Sequence, residues 1–90
     1  MKIFILDFTV RECYYINVKV FSINDISKAI KERRKSLNLT QLECASMCNV
    51  GLRFFSELEN GKESLHIGKV LNCISILGIN IHLINREDDR

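Results

Sequence analysis

Arg53 and Ser56 stand one helical turn apart in the middle of this chain, with Gln41 before them and Lys62 after. Their chemistry is that of recognition rather than of bond making. A guanidinium can donate two parallel hydrogen bonds to O6 and N7 of a guanine, and a hydroxyl can touch a base edge or a phosphate. An amide beside free helix N–H groups, like an ammonium, can donate to phosphate oxygens. Each also has a plainer reading: Gln41 and Ser56 as surface residues, and Arg53 as the partner of Glu57 at i, i+4. Phe54 reads either as core or as a contact for a thymine methyl. No catalytic residue or cofactor is expected. The two histidines, His66 and His82, fall at a helix start and in a strand pattern, with no nucleophile–base arrangement, and no Gly-rich phosphate loop occurs.

Two short helices joined by a tight turn, Leu39 to Asn60, must position those side chains. Thr40 is a favoured N-cap, and apolar residues at Leu42, Cys44, Ala45 and Cys48 mark one buried face. Asn49 sits where a helix end needs a left-handed residue, Val50 can plug the corner, and Gly51 can start the second helix. There Phe55, Leu58 and either Leu52 or Phe54 face inward, leaving Arg53, Ser56, Glu57 and Asn60 outward. Two helices packed steeply across a short turn leave the second protruding, a shape that fits the major groove of B-DNA, which is roughly 12 Å wide.

A preceding helix is expected from Asp25 to Leu37, capped by Asn24 or Asp25, with Ile26, Ala29, Ile30, Arg33 and Leu37 along one stripe and Asn38 as its left-handed terminator. Its other side, Lys28, Lys31, Glu32, Arg34 and Lys35, reads as a solvated face or as a set of phosphate contacts. A further helix is expected from His66 to Leu77, with Ile67, Val70, Leu71, Ile74 and Leu77 inward and Gly78 ending it. From Ile79 to Ile84 the residues alternate in a strand pattern. A lone strand needs a partner, either the same strand of a second subunit, through Ile79, Ile81 and Leu83, or the N-terminal arm. Residues 1–24 read as a β-rich arm or as a poorly ordered extension. The resulting organisation is mainly α: an arm over 1–24, a four-to-five-helix domain over 25–78, and a short C-terminal β-strand with a charged tail over 79–90.

Ninety residues, almost half of them apolar and none of them proline, suit one small domain. The net charge of +2 carries no claim about nucleic acid, yet from Lys28 to Lys62 seven cations (Lys28, Lys31, Arg33, Arg34, Lys35, Arg53, Lys62) face four anions (Glu32, Glu43, Glu57, Glu59). Cys13, Cys44, Cys48 and Cys73 show no metal spacing, so the first reading is core thiols in a reducing cytoplasm; a redox pair at Cys44 and Cys48 is the other. Met1-Lys2 precedes too few apolar residues for a secretory signal, and no stretch approaches a membrane span.

The pattern LTQxxxAxxxxVxxxFxSxLENGK, from Leu39 to Lys62, resembles the Xre/Cro-repressor type of helix–turn–helix. The flanking IxKAIKERRKSLNL and LHIGKVLNCISILGINIHL resemble the HipB-type antitoxin branch, and the match runs from about Ile26 to Leu83. The resemblance implies a dimeric antitoxin that binds double-stranded DNA at its own operator, represses its own operon and binds a HipA-like serine/threonine kinase toxin. On that reading the DNA-facing residues are Thr40, Gln41, Gly51, Leu52, Arg53, Phe54, Ser56 and Lys62. It also pairs the C-terminal strand with that of a dimer mate. Leu52 departs from the pattern, standing where relatives often carry Arg or another polar residue. A protein-interaction module with weak DNA binding is the alternative function, and a thiol-responsive regulator is a third.

Overall fold

A computed structural model describes residues 19–86, and within them the chain forms four helices. These are α1 (Ile23–Ser36), α2 (Gln41–Met47), α3 (Leu52–Glu59) and α4 (Ile67–Ile76). The first begins earlier than expected. Ser22 is its N-cap, and Asp25, at the third helical position, reaches back to accept from the backbone N–H groups of Phe21 at 2.7 Å and Ser22 at 3.1 Å. Asp25 thus serves the helix start from inside the first turn, where its charge also complements the helix dipole. The start of α2 shows the reciprocal pair: Thr40 Oγ1 accepts from Glu43 N at 3.0 Å, and Glu43 Oε1 accepts from Thr40 N at 2.8 Å. At α4, Nδ1 of His66 accepts from Lys69 N at 3.3 Å.

All four helices end in the same way. Asn38, Asn49, Gly61 and Gly78 have φ of 59°, 59°, 82° and 79°. The next residue in each case donates back to a carbonyl in the last turn: Leu39 to Arg34 O, Val50 to Ala45 O, Lys62 to Glu57 O and Ile79 to Ile74 O, at 3.0–3.2 Å. The left-handed residue turns the chain so that the last orphan carbonyls find donors. A Cβ at Gly61 would also meet the end of the Asn24 side chain, which would have to move aside.

Helix α3 packs against both α1 and α2. The core comprises Ile30 from α1, Cys44, Ala45 and Cys48 around α2, Phe55 and Leu58 from α3, and Val70, Cys73, Ile74 and Leu77 around α4. Val50 packs against it from the corner, as do Phe54 and Ile79. Burying a side chain the size of Phe55 or Leu58 is worth about 1.5–3 kcal/mol, which makes α3 the main apolar anchor of the site it carries.

Four expected inward positions differ. Leu37, Leu42, Ile67 and Leu71 are exposed, and of the two alternatives on α3 it is Phe54 that packs against the core while Leu52 is exposed. The small residues Cys44, Ala45 and Cys48 let α2 sit close to its neighbours, and at 100° per residue Leu42 lies over a quarter turn from the middle of that arc. Leu71 is displaced from the arc of Val70, Cys73, Ile74 and Leu77 in the same way. Arg33 reaches inward as its stripe position implies: its Nε donates to Leu77 O at 2.8 Å, satisfying a carbonyl at the end of α4.

Among the described residues no strand is present, and residues 79–85 form neither helix nor ladder. The described residues supply this segment with no neighbouring edge, and the expected strand is not formed among them. Leu83 is 94% exposed and Ile81 and Ile84 are exposed beside it. The expected arm lies mostly outside the described residues; its last two positions, Ile23 and Asn24, belong to α1.

Candidate nucleic-acid interface

The helix pair is held by an ionic cluster that sequence reasoning missed. Glu59, in the last turn of α3, has a side chain with 0% exposure, and Arg34 of α1, at 14%, binds it bidentately: Nε to Oε2 at 2.6 Å and Nη2 to Oε1 at 3.2 Å. Gln41 Nε2 donates to the same Oε1 at 2.8 Å, and Arg34 Nη1 donates to Leu39 O at 2.8 Å. The hydrogen bond to Glu59 raises the Arg34 pKa above its ordinary range, burial working against it. Arg34 therefore leaves the solvated face expected of it. Ser27 Oγ adds a bond from α1 to Leu58 O. The spacing of Arg34 from Glu59 gave no local signal, because their contact depends on how α1 crosses α3.

Gln41 is thus oriented by Glu59 at the first position of α2, beside that helix's free N–H groups and next to the Thr40 cap. The turn that follows α2 places Gly51 at the N-cap of α3, with φ −72°, ψ 156° and no side-chain cap. A Cβ at Gly51 would meet nothing within 4 Å, so the approach to the start of α3 is open. Leu52 and Arg53 occupy the first turn there, and both are exposed. The Arg53 side chain is 91% exposed, with Nε 3.4 Å from Glu57 Oε2. Lys62 Nζ lies 3.3 Å from that same oxygen. The i, i+4 pair is present, therefore, but so loosely and so exposed that the guanidinium remains free to reach outward.

Ser56 is half-buried on α3. Phe54 packs against the core, and its ring lies 5.9 Å below the Lys69 ammonium, a cation–π contact from α4. Thr40, Gln41, Gly51, Leu52, Arg53, Ser56 and Lys62 all belong to the α2–turn–α3 unit or its immediate exit, whereas Phe54 is shared with the core.

The expected dimerisation residues divide. Ile79 packs against the core, while Ile81 and Leu83 are exposed. Leu71, Ile74, Ser75, Ile79, Asn80 and Ile81 line a shallow open hollow beside α4.

Cys44, Cys48 and Cys73 are free and buried. Burial pushes all three thiols up, Cys73 to about 12, and Cys48 and Cys73 share a hydrogen bond. A raised thiol pKa lowers the fraction of thiolate, the form that oxidants attack. Among the described residues no group of three His, Cys, Asp or Glu is placed to hold a metal ion, and no helix is long and apolar enough to cross a membrane.

No family model matches the sequence. Over 60 residues, 67% of this chain and 79% of the relative, it is 43% identical to the uncharacterised HTH-type transcriptional regulator y4mF of Sinorhizobium fredii (strain NBRC 101917 / NGR234). Among solved structures, the fold is similar to a HipB–O4 20mer complex chain at TM-score 0.70 and 20% identity, covering 78% of this chain and 99% of that one. A chain of a HipA–HipB–O2–O3 complex matches with the same values. At 20% identity these likenesses concern the fold. The identity and coverage shared with y4mF go further, and they place this chain in the family of HTH-type transcriptional regulators.

Proposed function

We propose that this chain is a sequence-specific DNA-binding repressor that acts as the antitoxin of a HipA-like serine/threonine kinase toxin in the cytoplasm. The observation that carries the DNA-binding part is the contrast on α3: Phe55, Leu58 and Glu59 are locked inside while Arg53, at its open start, is almost wholly solvated. A helix held in this way can enter the major groove N-terminus first. Arg53 then reads a guanine edge, Ser56 touches base or phosphate, and Gln41, Thr40 and Lys62 fix the backbone register. Gly51 and Leu52 line the approach, and Phe54 supports it. One of the similar solved structures is a complex of HipA with HipB, and that supports the kinase partner.

The chain works as a homodimer. Ile79, Ile81 and Leu83 pair with the same residues of a second copy, which would complete the unpaired C-terminal segment and cover its apolar side chains. Two-fold symmetry then sets half-sites about 34 Å apart, or a multiple of that. Light scattering on the protein with and without a fragment of its own upstream DNA tests both points. A dimer that prefers this fragment over a scrambled duplex at physiological salt is expected; a monomer, or sequence-blind binding, overturns the repressor reading.

One observation favours a second reading, in which neutralisation by contact is the main activity. Leu52, Ile67, Leu71 and Ile76 are exposed apolar residues, and Leu52 takes a position next to Arg53 in the reading turn. If toxin inhibition survives in an Arg53→Ala, Lys62→Ala double variant that no longer binds DNA, contact with the toxin suffices for neutralisation.

A further inference from the structure

We propose that Glu57 is a specificity-determining residue of the DNA-reading surface, acting by competing with phosphate for Arg53 and Lys62. This rests on the DNA-binding reading above. One carboxylate oxygen, Oε2, faces both cations, at 3.4 Å from Arg53 Nε and 3.3 Å from Lys62 Nζ. Neither approach is accidental. Arg53 and Glu57 are neighbours on α3 by helical spacing. Lys62 is returned to Glu57 by the terminating turn of the helix, in which its own N–H donates to Glu57 O at 3.1 Å. Glu57 is 28% exposed, so its carboxylate sits recessed between two more exposed cations on the side of α3 opposite Glu59.

Exposed pairs of this length are weak, and that is what the role requires. Strong pairs would keep both cations from DNA. Weak ones disfavour single phosphate contacts, each of which must displace Glu57 and then tolerate a carboxylate nearby. A guanine edge offers Arg53 two parallel hydrogen bonds in place of one loose ion pair, so it outweighs that loss where a lone phosphate does not. Glu57 therefore lowers affinity for arbitrary duplex more than affinity for the operator.

Fluorescence titration of the full chain against its own upstream DNA and a scrambled duplex of equal length, over a series of salt concentrations, tests this. Glu57→Gln is expected to tighten binding to the scrambled duplex about two- to tenfold. Its salt dependence should steepen by about one to two charges, and binding to the operator should gain less. Glu57→Ala should reproduce the shift. Glu63→Gln, the same charge change in the exposed turn beyond Lys62, should move both DNAs equally, and in an Arg53→Ala background the preferential effect of Glu57→Gln should shrink. If Glu57→Gln behaves as Glu63→Gln does, only net charge matters and the proposal is overturned. If it weakens operator binding with no gain on scrambled DNA, Glu57 contacts a base and the proposal is again overturned. A wild-type chain that does not distinguish the two DNAs refutes the DNA-reading proposal beneath it, an outcome separate from either.

Discussion

Helix α3 carries two glutamates two residues apart, and they show how differently one kind of pairing behaves on the two sides of a helix. Glu59 is sealed inside with a bidentate guanidinium at 2.6 and 3.2 Å and an amide at 2.8 Å. Glu57 meets its cations near the water at 3.3–3.4 Å. Inside, each partner has lost its hydration, so removing one leaves the other uncompensated. Outside, water replaces a lost partner at little cost, and the groups stay available for a ligand. The first cluster joins α1, α2 and α3; the second leaves a charged edge that can respond to what binds.

The sharpest test of that contrast is Glu59→Ala, which strands Arg34 and releases Gln41 and should cost about 3–5 kcal/mol in urea unfolding. A loss below about 1 kcal/mol would mean that the interior cluster is as dispensable as the surface one. Next in size is a pH effect from the apolar side of the same core. The Cys73 thiol titrates near 9 when exposed and is pushed to about 12 when folded, so above pH 9 the unfolded chain loses its proton first. Stability is then fully present below pH 9 and falls as pH rises toward 12, at up to about 1.4 kcal/mol per unit for that proton. Cys73→Ala should flatten this slope, and an unchanged slope would remove the thiol from the account.

For the surface group, Arg53→Ala is expected to change unfolding stability by less than about 0.5 kcal/mol while costing about 1–3 kcal/mol of operator binding and relaxing specificity. A large loss of stability instead would erase the division between the two sides. Smallest is Lys62→Ala, which should lower the salt dependence of DNA binding by about one charge and weaken all sequences alike. Selective loss on the operator would make Lys62 a base reader.

Much of this layout is legible without coordinates because its causes are local. A left-handed residue is needed at each helix end, and Asn38, Asn49 and Gly78 mark three of those four ends in the sequence. The spacing of Ile30, Phe55, Leu58, Val70 and Ile74 follows helical periodicity and locates the core. The mismatched positions Leu42, Ile67 and Leu71 are apolar residues at the margins of their stripes, where periodicity alone does not say whether a neighbouring helix extends far enough to cover them.

The candidate contact residues Gln41, Arg53, Ser56 and Lys62 were readable from residue type and position, as was Glu57 as a helical neighbour of Arg53. What only the tertiary structure decided is which charges are spent inside. Arg34 looks like one more cation in the run from Arg33 to Lys35, and Glu59 like one more polar residue in LENGK. They meet because α3 packs on α1, bringing together groups 25 residues apart and excluding water from around them. Sequence determined the turns, the helix faces and the chemistry on offer, since each follows from bonds within a few residues; burial, which sets whether a charge holds the fold or is free for recognition, is a property of the assembled helices.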